Sequence, residues 1–168
     1  PDTVRMAHRV LALVLDNAVA RRLVTTNVSK GVALPAAAAP RDRILTSAQL
    51  LTLADAVGAA GRGQVLAMGL AGLRWSEVAA LRVGVLHLDS RRLHVVAAAT
   101  EAGGRIHLGP PKSKASRRYV ALPSLLVEEL VVAAAGKAPD ALVFPAPGGG
   151  VDRVGNFRRR TRWDSAVT

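Results

Sequence analysis

The chain has 168 residues, 50% of them hydrophobic and 21% charged, which suits one globular domain with a core and excludes a disordered chain. Lys and Arg number 23 against 12 Asp and Glu, a net charge of +11 with a pI near 11.6, so a polyanion is the first partner to consider. The chain has no cysteine, which excludes a disulfide framework, a Cys-type zinc site and a thiol nucleophile, and its longest apolar run, 65–73, is far short of the roughly 20 residues of a membrane span.

In chain order, 2–24 reads as an amphipathic helix, with Val4, Ala7, Leu11, Leu15, Ala18 and Val19 on one face. Residues 31–40 are rich in Gly, Ala and Pro without periodicity and end in the basic Arg41 and Arg43, the pattern of an interdomain linker. Thr46 followed by Gln49 is a capping-box pattern, with Leu50, Leu51, Ala54 and Val57 continuing at helical spacing. Residues 64–73 read as a buried helix, and Ser76 as the cap of another over 77–82. The period then becomes strand-like: 85–88 and 93–96 read as strands around a turn. Residues 106–108 and 118–122 read as two further strands around a turn holding Pro110, Pro111 and Lys112. Pro123 and Ser124 start a helix with Leu126, Val127, Leu130, Val131 and Ala134 on its inner side. Residues 143–144 read as a short strand, Gly148, Gly149 and Gly150 as a loop, and 151–163 as a final basic helix. The order predicts an α+β fold, mainly helical with a small antiparallel sheet.

Aromatic residues are only 3%, which gives little for stacking unpaired bases, so double-stranded DNA read through its phosphates suits the composition better. The four histidines have no paired ligand spacing and predict no metal site. Neither a membrane nor a small-molecule cofactor is expected.

The run Gly72-Leu73-Arg74-Trp75-Ser76-Glu77-Val78-Ala79-Ala80-Leu81-Arg82 resembles the first arginine box of the tyrosine recombinases, the phage integrase family. Residues 111–123, from Pro111-Lys112-Ser113-Lys114 through Arg117-Arg118-Tyr119 to Leu122-Pro123, resemble that family's β-turn lysine segment. Residues 15–24, with Asn27, Gly31 and Val32, are similar to the last helix of its core-binding domain. The resemblance implies three parts: 1–32 as that last helix, 33–43 as a linker, and 44–168 as an incomplete catalytic domain.

It also implies DNA integration and recombination, in which a tyrosine attacks a scissile phosphate to give a 3′-phosphotyrosyl link. Planar guanidinium forks suit the charge that gathers on the non-bridging oxygens. By resemblance Arg74 is the first such arginine, Glu77 the acid that orients it, and Lys112 the general acid for the leaving oxygen, with Lys114 its neighbour and competitor. Arg41, Arg43, Lys114, Arg117, Arg118, Arg158, Arg159 and Arg160 are the expected DNA contacts.

The family continues with a His-x-x-Arg box and a late nucleophilic tyrosine. None of His8, His87, His94 or His107 is followed three residues later by arginine, and the one tyrosine, Tyr119, lies in the strand after the lysine turn. The expectation is an integrase-like fragment, catalytically incomplete alone, bound to the bacterial nucleoid in the cytoplasm. A non-catalytic DNA- or partner-binding regulator derived from an integrase is the alternative. Self-association through apolar surface bared by the missing helices is also expected.

Overall fold

The structure, a computed structural model, describes residues 2–36, 44–111 and 116–167. The chain falls into two compact units, Pro1–Ile44 and Leu45–Thr168.

In the first unit helix α1 spans Asp2–Ala20, four residues shorter than its periodicity predicts. The chain leaves the helix through Arg22, whose φ of 58° lies in the left-handed region. The segment after it folds back along α1. Asn27 donates to the Ala12 carbonyl (3.0 Å) and to Asp16 Oδ1 (2.9 Å), and accepts from Ser29 Oγ (2.6 Å). Lys30 pairs with Asp16 at 2.8 Å. The Asn27 amide and then Lys30 hold the Asp16 carboxyl below its ordinary value. His8 Nε2 donates to the Ser29 carbonyl at 2.9 Å, and Arg5 Nε to that of Pro35 at 3.0 Å. Met6, Leu13 and Val14 of α1 stay exposed.

The second unit begins with α2, Ser47–Ala56, under the predicted capping box: Gln49 N–H donates to Thr46 Oγ1 and Thr46 N–H to Gln49 Oε1. Helix α3, Arg62–Ala71, packs on α2 and on α5, Ser124–Ala134, whose cap is Pro123 as expected. The core runs through these helices: Leu66, Leu126 and Leu130 are fully buried with Leu93, Val78 and Val143. Within α5 the inner face is narrower than the sequence suggests, since Val131 is exposed. Leu130→Ala is expected to cost about 2–5 kcal/mol through lost transfer energy and an unfilled cavity. Urea unfolding should show a lower midpoint at unchanged slope.

The strands differ from the sequence reading in their partners. Val83–Val85 is a 3₁₀ turn, so β1 is only Leu86–His87. It pairs with β2, Arg92–Val95. The segment 98–102, unassigned by pattern, forms β3, Ala98–Ala102, and pairs with β4, Arg105–Gly109. The expected hairpin between 106–108 and 118–122 is therefore absent. The physical reason is the turn: Gly103 and Gly104 have φ of 56° and 73°, the two left-handed positions that close a two-residue hairpin. Strand β5, Arg118–Ala121, instead joins β2 antiparallel, with Leu93 opposite Val120 and His94 opposite Tyr119. The sheet order is β1-β2-β5.

Towards the end of the chain, 143–144 is not a strand; Leu142 and Pro145 make single bridges to Arg82 and Val151. The basic helix predicted over 151–163 is two helices, α6 (Val154–Arg160) and α7 (Trp163–Ala166). They break at Arg162, with φ of 48°, just after buried Thr161, whose hydroxyl donates back to the Phe157 carbonyl at 2.9 Å. Phe157 anchors α6 against Trp75, with ring centroids 4.8 Å apart. A Cβ at Gly61 would lie 2.5 Å from the Thr161 methyl, so only glycine lets α6 pack this closely. The whole is an α+β fold, mainly helical, with small antiparallel sheets.

Candidate nucleic-acid interface

The sharp turn between α3 and α4 (Trp75–Ala79) sets the position of Arg74. Helix α3 ends in Gly72, whose φ of 62° is the left-handed C-cap that a side chain would strain. Leu73 is then buried, and Arg74 takes the N-cap of α4 in extended conformation. Ser76, the expected cap, lies inside the helix instead. The capping role falls to Glu77, whose Oε2 accepts from the Arg74 backbone N–H at 2.9 Å.

Glu77 is 4% exposed and carries four hydrogen bonds on its two oxygens. Besides the cap bond, Arg74 Nη1 donates to Oε1 at 3.2 Å. Arg118, arriving from β5, donates through both ends of its guanidinium, Nη1 to Oε1 at 2.9 Å and Nη2 to Oε2 at 3.0 Å. Burial pushes the Glu77 carboxyl up; the Arg118 hydrogen bonds, the Arg74 N–H and the nearby positive charge together outweigh it and hold the carboxyl below its ordinary value. The Glu77 bond in turn raises Arg118.

The Arg74 side chain is 71% exposed, against 3% for Glu77 and 31% for Arg118. It lines a cleft of ≈ 730 Å³ whose walls also include Ser76, Glu77, Thr100, Pro111 and Ser116. The groove is open to solvent, and its mostly apolar lining carries one exposed cation, Arg74, and one buried carboxylate, Glu77.

The other expected contacts divide into three groups. Arg41, Arg43, Lys112 and Lys114 lie outside the described residues. Arg117, Arg158 and Arg159 are exposed, Arg158 beside Asp164 and Arg159 donating to Asn156 at 2.6 Å. Arg118 and Arg160 turn inward. Arg160 reaches the 2% exposed Asp152, Nη2 to Oδ2 at 2.6 Å, and lies 5.8 Å above the Phe157 ring. Among the described residues no group of three His, Asp or Glu is placed to hold a metal ion, and no helix is long and apolar enough to cross a membrane.

Sequence reasoning missed the partnership of Arg118 with Glu77. The signal was alternation: Arg118 and Val120 share the face of the strand that continues to buried Leu122. It also missed Arg153, which binds the β3–β4 hairpin through Glu101 Oε1 and the Gly104 carbonyl, both at 2.6 Å.

No family model and no curated protein sequence matches the chain. Solved structures match its fold. The integrase of the Tn1549 transposon, in complex with circular intermediate DNA, is similar at a TM-score of 0.79 and 16% identity, over 99% of this chain and 60% of that one. The same integrase with transposon right end DNA gives 0.77 and 16%, over 99% and 59%. The XerA recombinase gives 0.51 and 14%, over 79% and 44%. The second unit and the helix before it thus have the fold of these integrases and recombinases. The chain spans 54–60% of the length of the transposon integrase chains.

Proposed function

We propose that this chain is a DNA-binding, integrase-like protein of the tyrosine recombinase class, and that its Arg74 cleft takes a backbone phosphate of duplex DNA. The observation that carries the reading is the exposed Arg74 guanidinium, hydrogen-bonded to a buried, ionised Glu77 in the wall of an open groove. A guanidinium so placed offers planar donors to two phosphate oxygens. Pro111 and Ser116 both line the groove, and Lys112 follows Pro111 in the chain, which supports its reading as the proton donor. Exposed Arg117, Arg158 and Arg159 would add contacts that position the duplex without reading bases.

The same proposal takes 1–32 as the end of a core-binding domain, 33–43 as a linker and 44–168 as part of a catalytic domain. It places the protein on the nucleoid, in the cytoplasm. Self-association is part of it, supported by the apolar residues exposed on α1. The 168 residues contain no His-x-x-Arg, so catalytic incompleteness of this stretch belongs to the reading, with a non-catalytic DNA-binding regulator as its second form.

Binding to duplex DNA should be weak, with little sequence preference and steep salt dependence. With about five phosphates neutralised, log K should fall against log salt with a slope of roughly −4 to −5. Arg74→Ala should make that slope shallower by about 0.9. A flat salt titration, or tighter binding to a neutral ligand, would defeat the proposal.

A further inference from the structure

We propose that Arg118 is a positioning residue for the phosphate cleft: by occupying both oxygens of Glu77 from the inner side, it leaves the outer edge of Arg74 and its charge available to a DNA phosphate. The inference rests on the reading of the cleft as a phosphate site.

The geometry is unequal in a telling way. Arg118 holds the full fork, 2.9 and 3.0 Å to the two oxygens, whereas the Arg74 side chain makes one bond of 3.2 Å and is mostly in solvent. Arg118 is also tied in place, donating to the Ser116 carbonyl at 3.2 Å and to the Gly72 carbonyl at 3.4 Å. It therefore connects β5 to the turn that presents Arg74. Two guanidinium groups against one carboxylate leave a net positive charge at the groove. Without Arg118, Glu77 would have Arg74 as its one remaining cationic hydrogen-bond partner among those described. The most favourable geometry for an isolated arginine and carboxylate is the planar two-bond fork. Arg74 would swing inward to form it, and the groove would lose both the donors and the charge.

The ionisable groups that face Glu77 come from several elements. Arg74 reaches it from the start of α4 and Arg118 from β5. Arg82 and His94 line the small cavity of ≈ 30 Å³ that Glu77 shares with Leu73 and Val95. Burial raises the Glu77 carboxyl, and Arg118 is the largest influence lowering it. Removing Arg118 takes away that influence and leaves Arg74 as the described cation bonded to Glu77.

The test uses the full chain and a short fluorescein-labelled duplex, read by anisotropy. At about 0.1 M salt one lost phosphate contact is worth roughly eightfold in affinity, and the slope against salt falls by about 0.9. Arg118→Met should show that loss near neutral pH. The double variant Glu77→Gln with Arg118→Met should restore binding, because nothing then draws Arg74 inward. Replacing both members of the pair is also gentler on the fold than removing one. If Arg118→Met binds like wild type while Arg74→Ala is weakened, Arg118 positions nothing. A double variant that stays weak would overturn the inference as well, since Arg118 would then touch the phosphate itself or serve only the fold. If instead Arg74→Ala binds like wild type, the cleft reading fails rather than this one. Should the variants not fold, the wild type still decides: on titration with the duplex the Arg74 side-chain Nε–H resonance should shift and that of Arg118 stay. An equal shift of Arg118 would overturn the proposal.

Discussion

Replacing Glu77 with alanine is expected to destabilise the second unit by about 2–3 kcal/mol. Removing one member of a buried pair typically costs about 3–5 kcal/mol, because the partner is left charged and unpaired. The expectation here is smaller because Arg118 is 31% exposed and Arg74 71%, so both orphaned cations can turn to water. The backbone N–H of Arg74 loses its acceptor too, a cap worth about 1 kcal/mol. For a chain of this size each kcal/mol moves the melting temperature by about 2–4 °C. The effect should depend on pH. Glu77 is held below its ordinary carboxyl value in the folded chain, so its contribution is complete above the unfolded value of about 4.3 and is lost as pH falls through the lower folded value. Glu77→Gln, which resembles the protonated form, should therefore melt well below wild type at neutral pH and converge on it in strong acid. A gap that stays constant down to about pH 2 would show that Glu77 acts through shape and not through charge.

What the sequence makes legible follows from how local each interaction is. The capping box of Thr46 and Gln49 spans three residues, and both bonds form as the pattern requires. Arg74 and Glu77 are equally close in the chain, so their partnership is readable too. The third member, Arg118, lies 41 residues beyond Glu77, and only the alternation of a strand hints that it points inward. Strand β3 escapes notice because Ala98, Ala99 and Thr100 carry no apolar alternation; the geometry of the Gly103-Gly104 turn, not side-chain burial, specifies it. The basic run of α6 shows the converse error. Arg158, Arg159 and Arg160 look alike in sequence, yet the buried Asp152 claims Arg160 and leaves its neighbours exposed. Charge runs announce a basic face, but long-range pairing decides which of its members reach solvent.

No covalent protein–DNA adduct is expected when these 168 residues meet a nicked suicide duplex. Cleavage by a tyrosine needs its hydroxyl in line with the leaving oxygen, and such alignment contributes about 7–11 kcal/mol to a displacement. Tyr119, the one tyrosine, is 60% exposed on β5 and stacks on His94 of β2, with centroids 4.2 Å apart and planes 13° from parallel. Successive residues of a strand point to opposite faces. Arg118 points to the side where it meets Glu77, and Leu93 and Val95, flanking His94, are buried in the core. Tyr119 therefore points away from the guanidinium cluster that would hold the phosphate. The lack of a His-x-x-Arg pair compounds this, since one missing charge-stabilising donor typically lowers a rate by about 100-fold or more. Arg74 and Lys112 would hold a phosphate without breaking its ester bond. The measurement is a denaturing gel scored for a covalent band. An adduct that Tyr119→Phe abolishes would overturn the placement of this tyrosine outside the chemistry. No adduct alone, but one when a segment carrying the His-x-x-Arg box and a nucleophilic tyrosine is supplied in trans, would favour the enzyme-fragment form of the proposal over the regulator.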